Sequence, residues 1–153
     1  MNNEKAINTL NSLVEINNDR IEGYQTASKE TVESELKTLF AGFISNSQQC
    51  KQELVAEVTS LGGEPTEGTQ TSGKFYRVWM DIKAALTGKD RVAILNSCEY
   101  GEDAALETYD NILKNELENI SPQQQTMINA QRTLIKADHD SIKRLRDSSV
   151  EQK

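Results

Sequence analysis

CEYGEDAALETYDNIL, residues 98–113, has the spacing of a helix and one residue that this spacing does not want. Cys98, Glu102, Ala105, Tyr109 and Ile112 recur every three or four positions. That repeat lines them along one helical face and leaves no period-two alternation for a strand. Glu102 lies inside the stripe, and Glu99 sits one turn earlier beside it. A carboxylate aimed at a core is tolerated only when it is paired, hydrogen-bonded or bound to a metal. The segment therefore implies a helical bundle, with an interior that either handles a metal or knits itself together through polar side chains.

The rest of the chain supplies the other helices. Ile7, Leu10, Val14, Asn17, Ile21 and Tyr24 make one stripe in a helix expected over about 2–27. Leu36, Phe40, Phe43, Ser47, Cys50, Leu54, Val58 and Leu61 make a second, over about 31–61, which Gly62, Gly63 and Pro65 stop. The quoted stripe, with Leu95, belongs to a helix over about 90–119 that Asp90 is placed to cap. Ser121-Pro122-Gln123-Gln124 opens the last, over about 122–147, as a capping box with proline at the first helical position. That helix carries Ile128, Ile135, Asp138, Ile142 and Leu145.

Loop lengths choose the topology. The short breaks near 28–31 and 121 fold helices 1 and 2, and helices 3 and 4, into antiparallel hairpins. Residues 62–73 are rich in Gly, Thr and Pro, and KFYRVWMDIKAAL, residues 74–86, reads as a short extra helix carrying Trp79. Such a connection can return the chain along the bundle, so the expected fold is all-α, a ferritin-like four-helix bundle with a long crossover between helices 2 and 3. One domain over residues 1–153 accounts for the length.

Composition narrows the function classes. There are 24 acidic and 17 basic residues, a net charge of −7, which opposes nucleic-acid binding and adhesion to anionic membranes. No apolar run approaches the roughly 20 residues of a membrane span, and the start has no signal-like apolar core. A cytoplasmic protein is expected. Cys50 and Cys98 form no CxxC or metal-knuckle spacing and read as small, reduced core residues. With one histidine in the chain, a nucleophile–base constellation has nothing to be built from. No catalytic residue and no cofactor are assigned.

Four segments together resemble a bacterial family of ferritin-like four-helix-bundle proteins designated as a domain of unknown function. They are LVAEVTSLGGEP (54–65), KFYRVWMDIK (74–83), LNSCEYGEDAALETYDNIL (95–113) and ADHDSIKRLRD (137–147). The resemblance covers roughly residues 5–147, and its most specific element is Gly101-Glu102-Asp103 with Tyr109 two turns on. It implies a place in the ferritin-like superfamily, loosely a stress setting, and no settled activity.

Ferritin-like di-iron sites take a Glu from each of two helices and a Glu-x-x-His from each of the other two. Here helix 1 offers Asn17, helix 2 offers Ser47 and Cys50, and helix 4 offers Lys136-x-x-His139. The metal candidates that remain are Glu99, Glu102 and His139, for iron or another divalent ion. The competing expectation is an interior network of Asn17, Glu102, Tyr109, Asp138 and His139 that fixes helix register without a cofactor. The expected function is that of a non-enzymatic bundle acting through self-association, plausibly as a dimer, or through a protein partner; the alternative is a degenerate metal-binding bundle with oxidase or metal-handling activity.

Overall fold

A computed structural model describes residues 3–67 and 91–151 of the chain. Four helices make up the described residues: α1 (Asn3–Glu30), α2 (Ser34–Ser60), α3 (Arg91–Asn115) and α4 (Pro122–Glu151), with a single 3-10 turn at Leu117–Asn119. No strand occurs among the described residues. The short helix expected at 74–86 and the cap expected from Asp90 lie outside them.

The stop and start signals act through identifiable hydrogen bonds. At the end of α2, Gly62 N–H donates to Thr59 O (3.0 Å) and Gly63 N–H to Val58 O (3.0 Å), the crossed pair that closes a helix on a left-handed residue. Gly62 takes φ +82°, which explains the glycine. At the start of α4, Gln124 N–H donates to Ser121 Oγ (3.1 Å) while Ser121 N–H donates to Gln124 Oε1 (2.9 Å), so the capping box forms in both directions. Four boundaries differ from expectation by three or four residues, among them the start of α2 at Ser34 instead of 31 and the end of α4 at Glu151 instead of 147. α1 continues through Ser28, Lys29 and Glu30, since none of these residues breaks a helix, and only Thr31–Glu33 remain as the turn. α3 ends at Asn115 rather than near 119, because Glu116 leaves helical geometry (φ −126°, ψ 17°) and the chain tightens into the 3-10 turn.

Side-chain pairs fix how the helices run. Across the first hairpin Asn3, at the start of α1, reaches Leu61 just past the end of α2, and Arg20, farther along α1, reaches Ser47 earlier in α2. Arg132 meets Asp110, and Arg146 meets Asn96, across the second. Each hairpin is therefore antiparallel. Arg91, at the start of α3, pairs with Glu33 and Glu35 at the start of α2, so these two helices begin at the same end. No helix among the described residues is long and apolar enough to cross a membrane.

The interior is apolar at both ends and polar in the middle. One block gathers Leu10, Leu13, Val14, Leu54, Val58, Ala105, Tyr109, Ile112, Ile128 and Ile135. The other gathers Tyr24, Ala27, Leu36, Phe40, Phe43, Ile94, Leu95, Cys98 and Ile142. Full burial of each Leu, Ile or Phe is worth about 1.5–3 kcal/mol, so the two blocks carry the bundle. On every helix the residues between the blocks are polar: Asn17 and Arg20 on α1, Ser47 on α2, Glu102 on α3 and Asp138 on α4, all buried.

Candidate functional site: the polar layer and its edge

Arg20 holds this layer together. Its side chain is fully buried, a position a charged group occupies only when paired. Nε and Nη2 donate to Glu102 Oε1 (3.2 and 2.9 Å), and Nη2 also donates to Asp138 Oδ2 (3.0 Å). Nη1 donates to Ser47 Oγ, so one guanidinium is bonded to side chains from the other three helices. Tyr24, one turn on along α1, gives its hydroxyl proton to the same Glu102 oxygen and stacks beneath the cation, 5.9 Å from the guanidinium carbon to the ring centroid. Asn46 closes the far side by donating to Asp138 Oδ1 (2.9 Å).

Electrostatics follow from burial. Loss of water pushes Glu102 above the usual carboxylate range, and the opposing pull of Arg20 and the Tyr24 hydroxyl only partly offsets it. Asp138 is raised by burial in the same way, against Arg20 and Asn46. For Arg20, burial works against the charge, but Glu102, Tyr24 and Asp138 outweigh it and the guanidinium keeps its proton more firmly than in water. Burial and the nearby Glu102 charge hold Tyr24 as a neutral phenol.

A second branch, built of amides and a phenol and ending at the exposed carboxylate of Glu53, lies one step toward the Leu10 block. Asn17 Nδ2 donates to Tyr109 Oη (2.9 Å), Tyr109 donates to Gln131 Oε1 (2.8 Å), and Gln131 Nε2 donates to Glu53 and to Cys50 O. It too spans all four helices. Cys50 and Cys98 are buried free thiols; burial pushes Cys50 up to about 12 and raises Cys98 further, which keeps both un-ionised and poor nucleophiles.

His139 belongs to neither branch. Its Nε2 lies 2.8 Å from Asp103 Oδ1 and 3.7 Å from Glu99 Oε1, both on α3, and its Nδ1 lies 3.1 Å from Asp140 Oδ1. Hydrogen bonds to His139 and Lys136 hold Asp140 below the usual carboxylate range. Neighbouring helical residues diverge by about 100°, and this divides the two pairs. Glu102 and Asp138 point into the bundle, while Asp103 and His139 point along the α3–α4 seam. The expected network of Asn17, Glu102, Tyr109, Asp138 and His139 is thus three separate groups: Glu102 with Asp138 through Arg20, Asn17 with Tyr109, and His139 apart. Of the expected metal candidates, Glu99 and His139 meet, Asp103 joins them in place of Glu102, and Glu102 is turned to Arg20.

The donor set does not fit a di-iron centre. Such a centre needs carboxylates and imidazoles from all four helices facing two cations. Here the middle of the bundle is filled by N–H donors from Arg20, with Glu102 and Asp138 already bonded to them, and α2 contributes a hydroxyl. Sequence reasoning missed Arg20, although it is fully buried. The only available signal was that Arg20 lies three residues after Asn17 and four before Tyr24, a register that competes with Ile21.

Residues 5–115 match the family described as a domain of unknown function (DUF2383). No curated protein matches the chain.

Proposed function

The chain belongs to the DUF2383 family, a domain of unknown function, and from its interior we propose a non-enzymatic, ferritin-like bundle that acts by associating with copies of itself. The observation that carries the non-enzymatic part of this reading is Arg20. In the bundle core, where ferritin-like di-iron proteins build their metal sites, an arginine engages Glu102, Asp138 and Ser47 and occupies the space between them. A cation brought there would face the N–H donors of Arg20 and a single unbonded carboxylate oxygen, Glu102 Oε2, where a di-iron centre needs carboxylates and imidazoles from all four helices, so oxidase chemistry has no seat at the centre. The ferritin-like assignment draws support from the two antiparallel hairpins and from the common starting end of α2 and α3. Buried free thiols and an acidic composition suit a reducing, cytoplasmic setting.

Among the described residues Val32, Tyr100 and Leu117 are the exposed large apolar side chains, and these are the ones an association between copies would cover. The test pairs mass in solution, by sedimentation over a concentration series, with an aerobic Fe(II) oxidation assay. The reading expects species heavier than one 17.1 kDa chain and no acceleration of Fe(II) oxidation over buffer. A monomer at every concentration would overturn the association, and oxidation that Glu102→Gln abolishes would overturn the non-enzymatic reading.

A further inference from the structure

We propose that the α3–α4 seam carries a divalent transition-metal site made of Glu99, Asp103 and His139. It lies outside the Arg20 layer and does not depend on the function proposed above. The three side chains each offer one ligand atom, and these atoms lie within 4.8 Å of one another. Two carboxylates and an imidazole form a donor set suited to Zn(II), Fe(II) or Mn(II), with positions left for water. Ligands about 2.1 Å from a tetrahedral ion are about 3.4 Å apart, and the two distances to His139 Nε2, 2.8 and 3.7 Å, bracket that separation. Asp103 is the adjustable member, because its side chain is 58% exposed and can swing outward to admit an ion.

Groups behind the ligands aim them at the ion position. A neutral imidazole has one N–H. When Nδ1 gives it to Asp140, Nε2 of this nine-tenths-buried side chain is a bare nitrogen that faces one carboxylate oxygen each from Asp103 and Glu99. A cation satisfies all three atoms at once. The carboxylate behind the histidine is the outer-shell partner that metal-bound imidazoles carry, fixing tautomer and ring orientation. Glu99 is oriented likewise: Arg146 holds Oε2, leaving Oε1 turned to the imidazole. Sequence spacing supplies the rest, since Glu99 and Asp103 are four apart on α3 and share a face that His139 meets from α4.

Isothermal titration of Zn(II) into the full chain, stripped with chelator and dialysed, tests the site. The expectation is saturable binding of about one equivalent, lost with His139→Gln, weakened at least tenfold by Asp103→Asn and about tenfold by Asp140→Asn, and unchanged by Asp110→Asn further along the same seam. Asp103 is exposed, so its variant folds, and circular dichroism confirms the fold of each. Absence of saturable binding, or Zn(II) binding that survives both His139→Gln and Asp103→Asn, would overturn the assignment.

Discussion

Replacing Arg20 with methionine removes the cation that Glu102 and Asp138 share while leaving an apolar chain of similar reach. Both carboxylates are then buried without their counter-charge, and Ser47 loses its donor. Removing one partner of a buried ion pair costs about 3–5 kcal/mol, and one arginine serving two acids places this variant in the upper half, about 4–5 kcal/mol. For a domain of this size that corresponds to a fall of about 8–20 °C in Tm. The loss carries a pH signature that a packing defect lacks. Glu102 and Asp138 already have raised pKa values in the folded chain, and Arg20 is among the groups pulling them down, so its removal raises them further. Between the folded and unfolded values the native state binds more protons, and stability therefore rises as pH falls. The deficit of Arg20→Met should shrink as pH drops from neutrality toward the ordinary glutamate value of 4.5. Replacing all three charged residues with apolar ones of similar volume should return the protein to within about 2 kcal/mol of the parent. Urea unfolding followed by far-UV circular dichroism at several pH values reads all of this. A neutral-pH loss below about 1 kcal/mol, or a deficit independent of pH, would refute the reasoning.

Four further outcomes follow from the same structure. Tyr109→Phe leaves Gln131 Oε1 without its buried donor and should cost about 1–3 kcal/mol in urea unfolding with an unchanged m-value; a neutral result would break the chain from Asn17 to Gln131. Gly62→Ala forces an alanine to φ +82° and should cost about 1–2 kcal/mol, and Ser121→Ala about 0.5–2 kcal/mol, each measured as a shift in urea midpoint. Native Cys50 and Cys98 should react slowly with an aromatic disulfide at mildly alkaline pH and both titrate at once after denaturation, because burial keeps their protons on; fast labelling of the folded protein would contradict this.

The stripes on α2 and α3 were readable because every member is apolar or small apart from Ser47 and Glu102, and the buried residues of α2 are those at the expected spacing, Leu36 through Val58. Helix ends were readable where local chemistry sets them, at Gly62 and Ser121. The centre was not. Burial of Arg20 is decided by partners 27, 82 and 118 positions away, and no local pattern announces a charge whose compensation is that distant. The same limit hid the division between Glu102 and Asp103: a helical stripe ranks residues by face, and it takes the neighbouring helix to show that Asp103, one residue off the stripe, meets His139.

The most direct measurement of the central claim is hydrogen exchange at the Arg20 Nε–H, read in an arginine-selective NMR spectrum and identified by its loss in Arg20→Lys. Donation to Glu102 inside a buried layer predicts a sharp signal protected from solvent for far longer than those of Arg91, Arg132, Arg144 and Arg146, and displaced by Glu102→Gln. Exchange at the rate of a solvated guanidinium would contradict it.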